Sequence, residues 1–251
     1  MSKFFLAAIC LCVLCFISCQ FSENIHINQD GSGKMSFAFD AFEIMETAGD
    51  KLMANEESRM DSVMVFRDFL EKNKDSIAQL PKGNQKQLKA LEPYKVHVVM
   101  DRQTKELTFD LSANFKSVAE VHNMFDAFND TSEFQRKDQV KLNNPNNPLS
   151  VFISGGTTEI KYTFQKNTFA RTAKVIDEKA HKIVIDSLGK MAMIFGAARY
   201  KLNYHFPRRV KYVSNQDALF SVDGKTLTLM YSFMKYLTDP KIFNLKVVLE
   251  D

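Results

Sequence analysis

The residues able to do chemistry in this chain of 251 are few, and the most reactive of them crowd at one end. All four cysteines, Cys10, Cys12, Cys15 and Cys19, lie within the first nineteen residues, and none follows. The five histidines, His26, His97, His122, His181 and His205, are dispersed. No two of them fall three or four residues apart on one helix, which a local metal pair needs. His26 and His97 stand out of phase with their apolar neighbours, which predicts solvent-facing positions on strands.

Short motifs add little. Ser187-Leu188-Gly189-Lys190 has the S-x-x-K spacing that sets a lysine amine beside a serine hydroxyl on one helical turn. Neither an S-D-N-like nor a K-T-G element accompanies it, so Gly189 reads as a packing residue and Ser187 as a solvated one. Gly224-Lys225-Thr226 resembles the end of a phosphate loop, but Leu219 stands where that loop needs glycine, and Asp223-Gly224 reads better as a hairpin turn. Asn28, Asp30 and Ser32 have the spacing of a calcium loop without its closing glutamate. G-x-S-x-G, H-E-x-x-H and G-x-G-x-x-G do not occur. The expectation is a chain with no catalytic set, no metal site and no cofactor.

The cysteines acquire meaning from what surrounds them. Lys3 supplies a positive charge, and residues 4–17 (FFLAAICLCVLCFI) form an uncharged apolar run of signal-peptide length, too short to span a bilayer. The run ends in Phe16-Ile17-Ser18-Cys19, which resembles the lipobox of bacterial lipoproteins: apolar at −3, small at −1, cysteine at +1. Phe16 departs from the usual leucine at −3. The resemblance implies cleavage after Ser18, a diacylglyceryl thioether on Cys19 and acylation of the new amino group. One chain, at about 0.8 kcal/mol per buried CH₂, holds reversibly, whereas two or three together make release negligible. Residues 1–18 are thus expected to be a lipoprotein signal peptide and residues 19–251 the mature envelope domain. Gln20 at +2, in place of an inner-membrane aspartate, favours the outer membrane.

Removing residues 1–18 takes away one charge, Lys3, leaving 32 basic residues against 30 acidic. The two signs are interspersed, which argues against nucleic acid as a partner. The mature chain would keep one cysteine, so its stability must come from packing rather than disulfides. Its 22 Phe, 12 Met and 7 Tyr, with no Trp, supply that core.

In residues 24–41, Ile25 and Ile27 alternate before Asp30-Gly31-Ser32-Gly33, and Met35, Phe37 and Phe39 alternate after it, predicting a hairpin. Residues 42–80 change to helical spacing: Ile44, Met45, Leu52 and Met53, then, after a break near Asn55, Met60, Val63, Met64, Phe66, Phe69 and Leu70. Two amphipathic helices are expected there, stopped at Pro81. A second hairpin is expected from residues 94–101 and 106–115, and a helix over 116–129 with Val118, Val121, Phe125 and Phe128 on one stripe. Residues 130–148 are polar and contain Asn143-Asn144-Pro145, the best candidate for a boundary between two sub-units. Strands are then expected near 149–154 and 159–165, a helix near 177–197, strands near 200–206, 209–214, 219–222 and 226–231, a helical turn near 233–237 and a closing strand over 243–249. The fold class expected is α+β, with antiparallel sheets packed on one face by amphipathic helices.

Two stretches carry further resemblance. SENIHINQDGSGKMSF resembles the opening of uncharacterised envelope lipoproteins of Bacteroidota-type bacteria. YKLNYHFPRRVKYVSN followed by DGKTLTLMYSF is similar to the C-terminal part of LppM-type lipoproteins, although a Trp found there after the Thr-rich strand is replaced here by Leu229, Met230 and Tyr231. This implies a small antiparallel α+β domain that binds a lipid or glycolipid, and carries over no ligand-binding residue. The function expected is therefore a non-enzymatic envelope lipoprotein, held to the membrane through Cys19, with a lipid, a glycan or an envelope protein as partner. The alternatives are an anchored periplasmic hydrolase with a site assembled from distant segments, and an accessory subunit of a membrane complex.

Overall fold

A computed structural model describes residues 20–40, 42, 59–121, 157–188 and 196–251. Strand β1 (Gln20–Ile27) alternates strictly. Phe21, Glu23, Ile25 and Ile27 point inward and are buried, while Ser22, Asn24 and His26 point outward. The turn after it is closed by Gly31 at φ 83°, a conformation glycine adopts without Cβ strain. It is also closed by Asp30, whose Oδ1 accepts from the Ser32 amide (3.0 Å) and hydroxyl (2.6 Å). Strand β2 (Gly33–Asp40) returns antiparallel with Met35, Phe37 and Phe39 inward, so the first hairpin forms as its alternation predicts.

Strand β3 (Arg59–Val65) and helix α1 (Phe66–Lys72) follow, then α2 (Lys74–Ala78) and α3 (Lys82–Ala90). Strands β4 (Tyr94–Asp101) and β5 (Glu106–Phe115) form the second expected hairpin, with Asp101 opposite Glu106. A 3₁₀ turn occupies Val118–Glu120. Beyond it come β6 (Thr158–Gln165), β7 (Thr168–Val175), α4 (Glu178–Leu188), β8 (Arg199–His205), β9 (Val210–Val213), β10 (Leu219–Phe220), β11 (Thr226–Ser232), α5 (Phe233–Thr238), a 3₁₀ turn at Pro240–Phe243 and β12 (Leu245–Leu249).

These strands make two sheets. Eight run in the order β10-β11-β8-β1-β2-β5-β4-β3, and four in the order β6-β7-β12-β9. Pairing is antiparallel except between β1 and β8, which run parallel from Gln20 opposite Arg199 to His26 opposite His205. The class is mixed α and β with antiparallel-rich sheets and few helices. Over β1 and β8 the buried face is covered by the second sheet and, toward Gln20 and Arg199, by side chains of α5. Phe169 of β7 lies edge-on to Tyr204 (5.4 Å between centroids) and Phe206 (5.4 Å). Phe21 stacks on Phe39 (4.4 Å) and Phe233 (4.2 Å), and Tyr200 packs on Tyr236 (4.4 Å) and Phe243 (5.2 Å). At about 1.5–3 kcal/mol per large side chain withdrawn from water, this aromatic layer contributes substantially to cohesion.

Two expectations are corrected. Residues 59–65 are a strand, not the start of a helix. Met60, Val63 and Met64 have helical spacing, but the segment pairs along its length with β4, Met60 opposite Met100 and Met64 opposite Val96. Residues 168–175 form a strand that the apolar pattern did not announce, because its inward series is Phe169, Arg171, Ala173. The helix expected near 43–55, most of that over 116–129, the strand near 149–154 and the polar stretch 130–148 lie outside the described residues. Among the described residues no helix is long and apolar enough to cross a membrane.

Candidate functional site

Cys19 lies outside the described residues, but its neighbour Gln20 is the first residue of β1. Gln20 is paired on both sides, to Asp40 of β2 and Arg199 of β8. The residue expected to carry lipid is therefore joined to a central strand of the larger sheet with no spacer between them.

Three residues into that strand sits the most unusual polar group described. Glu23 is 2% exposed and Arg171, from β7 of the other sheet, is fully buried. Arg171 donates from Nη2 to Glu23 Oε2 (3.3 Å), from Nε to Oε1 (3.4 Å) and from Nη1 to the Phe243 carbonyl (3.4 Å). Tyr162 donates to Oε1 (2.7 Å), Tyr200 to Oε2 (3.0 Å), and Tyr204 makes a further short bond to Oε1. The guanidinium lies 5.9 Å from the Tyr162 ring centre and 5.6 Å from that of Phe243. Burial pushes the carboxyl of Glu23 up, but the Arg171 charge and the phenol bonds from Tyr204 and Tyr162 outweigh it and hold Glu23 below the usual carboxylate range. Burial, with the Glu23 charge beside them, raises Tyr162, Tyr200 and Tyr204 well above the ordinary phenol value.

This arrangement defines what the cluster can do. Both carboxylate oxygens are saturated with donors, and the group is charged, paired and shut off from water. A general base needs a free lone pair near substrate and a pKa near the working pH, and Glu23 has neither. The cluster is a clamp between sheets. The sequence alone singles out neither Glu23 nor Arg171 as a site residue. The one signal available was a charge at an inward position of an otherwise alternating strand.

The other candidates fall as follows. His26 and His205, on adjacent strands, stack at 4.5 Å between ring centres on the outward face, and His205 Nδ1 lies 2.9 Å from Thr226 Oγ1. Burial and the neighbouring His26 lower the His205 pKa. His97 bonds Asp61 at 2.9 Å. His181 is buried on α4 beside Thr157 Oγ1, 3.3 Å away. His122 lies outside the described residues. Among the described residues no group of three or more His, Cys, Asp or Glu side chains is placed to hold a metal. Asn28 and Ser32 bond each other (3.0 Å), completing the turn already described. Asp223-Gly224 is a hairpin turn, with Gly224 at φ 66°. Ser187 is in α4, and Lys190 lies outside the described residues.

Two surfaces remain. The outward face of the large sheet carries short polar side chains in contact: Asn203 Nδ2 donates to Asn24 Oδ1 (3.4 Å), and Thr228 Oγ1 to Asn203 Oδ1 (3.2 Å). Around α1–α3 an open groove of about 790 Å³ is lined by Leu70, Ile77 and Ala78 with charges of both signs, among them Arg67, Glu71 and Lys86. Comparison of this chain with protein-family models, with curated proteins and with solved structures finds no match.

Proposed function

We propose that this protein is a non-enzymatic lipoprotein of a bacterial cell envelope, anchored through acylated Cys19 and displaying its two-sheet body to another envelope component. The observation that carries the reading is the Ser18-Cys19 pair closing an uncharged apolar run, followed at once by a strand that begins at Gln20. The body's side of the proposal is a surface rather than an interior. The described space between the sheets around Glu23 is filled by Phe169, Tyr200, Tyr204 and Phe243, each buried to 1% exposure or less.

A second reading, the accessory subunit of a membrane complex, draws support from β3. This strand is the outer edge of the large sheet and has no buried residue. Val63 is 52% exposed, with Met60, Met64, Val65 and Phe69 exposed beside it. A strand with no outer partner among the described residues and with apolar side chains suits strand addition by a protein.

The test is Cys19→Ser in the host. Expected is loss of radiolabelled palmitate, retention of the uncleaved signal and release from the membrane fraction under conditions that keep the wild type bound. Unchanged acylation and processing would remove the basis of the proposal.

A further inference from the structure

We infer that the end of the two-sheet body at which β1 begins, together with the outward side of α4, is the surface that rests on the lipid headgroup layer. The inference builds on the reading of Cys19 as lipidated.

Reach comes first. Successive Cα atoms are about 3.8 Å apart, so the acylated residue can stand no further than that from the first residue of a strand hydrogen-bonded on both flanks. A tether of many residues would let the body float free of the bilayer. A tether of one residue forces the Gln20 end against it.

The second sheet brings α4 to the same end. Strand β7 begins beside the far end of the large sheet, where Phe169 meets Tyr204 and Phe206. It passes Glu23 at Arg171, and at Ala173 its amide donates to Asn244 Oδ1, close to Phe243, which packs on Tyr200 near the start of β8. It therefore runs toward the Gln20 end and stops at Val175. Helix α4 starts three residues later, its His181 packed on Thr157. The chain then returns to Arg199, the residue paired with Gln20.

The outward side of α4 has the chemistry of a lipid contact. Ile183 is 69% exposed and Ile176, just before the helix, 57%. Exposed Lys174, Lys179 and Lys182 surround them. Exposed Asp177, Glu178 and Asp186 share this segment, and Asp177 is engaged in capping the Ala180 amide (2.9 Å). Aliphatic side chains flanked by lysines enter the boundary between headgroups and acyl chains, and the ammonium groups meet lipid phosphates. The opposite end carries the turn at residues 28–32 and the hairpin at 221–225, about 23 Å away along β1 at 3.3 Å per residue.

In the mature lipoprotein an introduced cysteine would be the sole free thiol. Ile176→Cys, Ile183→Cys, Gln29→Cys and Val222→Cys replace exposed residues, and each is labelled with a polarity-sensitive fluorophore. The intact lipidated protein is then reconstituted in vesicles of phosphatidylethanolamine and phosphatidylglycerol and recovered by flotation. Expected is blue-shifted emission, quenched by a headgroup-level nitroxide lipid, at 176 and 183, with water-like, unquenched emission at 29 and 222. Water-like emission at all four, or quenching at 29 and 222 instead, in protein that floats with the vesicles overturns the orientation and leaves the anchor standing. Protein that does not float overturns both.

Discussion

Arg171 and Glu23 meet across the two sheets as a two-pronged pair, Nη2 to Oε2 at 3.3 Å and Nε to Oε1 at 3.4 Å, with side chains 0% and 3% exposed. A pair of this kind owes its standing to completeness. Water has been removed from both ions, and in its place three phenols donate to the carboxylate and a backbone carbonyl accepts from the guanidinium.

Breaking that completeness should be costly. Arg171→Met leaves a buried carboxylate without its counter-charge and is expected to lower the unfolding free energy by about 3–5 kcal/mol. Adding Glu23→Leu removes the stranded charge, so the double variant should be no less stable than Arg171→Met alone, although three tyrosine hydroxyls then lose their acceptor. Urea unfolding of the four proteins in the cycle measures the coupling, and strictly additive losses would mean that the two groups do not act together.

Acid should act through the same residue. The folded-state pKa of Glu23 is depressed below the ordinary glutamate value of about 4.5 by the Arg171 charge and the phenol bonds. A depressed carboxylate contributes stability that is fully present above the unfolded value and is lost as pH falls through the folded one. Melting temperature is therefore expected to fall as pH drops below about 4.5, more steeply in wild type than in Glu23→Gln. Parallel curves for the two proteins would contradict this.

Alkali gives a complementary signal. Tyr162, Tyr200, Tyr204 and Tyr236 are buried and their pKa values raised, in each case first by burial. Their folded-state values lie above the unfolded ones, so the stability they confer is present below about pH 10 and is lost as pH climbs further. An ultraviolet titration should show these phenolates appearing together with loss of folded structure rather than before it.

The edge strand makes the opposite kind of prediction. Val63 is half exposed, so Val63→Lys is expected to change stability by no more than about 0.5 kcal/mol while weakening any partner captured along β3. Crosslinking from residue 63 in intact cells, compared with the lysine variant, provides the measurement.

Gly33, by contrast, has no tolerance for a side chain. A Cβ there would fall on the His26 carbonyl and against the Phe115 ring, so Gly33→Ala should cost about 1–3 kcal/mol or more by overpacking. Thermal unfolding of that variant beside Gly83→Ala, where nothing lies within 4 Å, separates crowding from loss of backbone freedom.

The first hairpin was legible in the sequence because Ile25, Ile27, Met35, Phe37 and Phe39 alternate about an Asp-Gly turn, and burial imprints that period on any strand with one wet face. Strand β3 was not legible because it buries neither face, so nothing selected an alternation, and Met60, Val63 and Met64 could be read at helical spacing. Strand β7 and the role of Glu23 were hidden for a different reason. A charge at an inward position looks like a surface residue until its partner is known, and that partner stands 148 positions away. The proposed acylation at Cys19 is written in four neighbouring letters, whereas the clamp needs the whole topology.

The parallel pairing of β1 with β8 also sets an order of events. A ribosome delivers β1 first, yet one of its two hydrogen-bonding flanks has no mate until Arg199–His205 has been synthesised, and β12 comes later still. The nascent chain therefore cannot complete its central sheet early, and it presents an open, sticky flank for most of its production. If the chain is exported as proposed, that late completion would keep the large sheet open until its last fifth has been made.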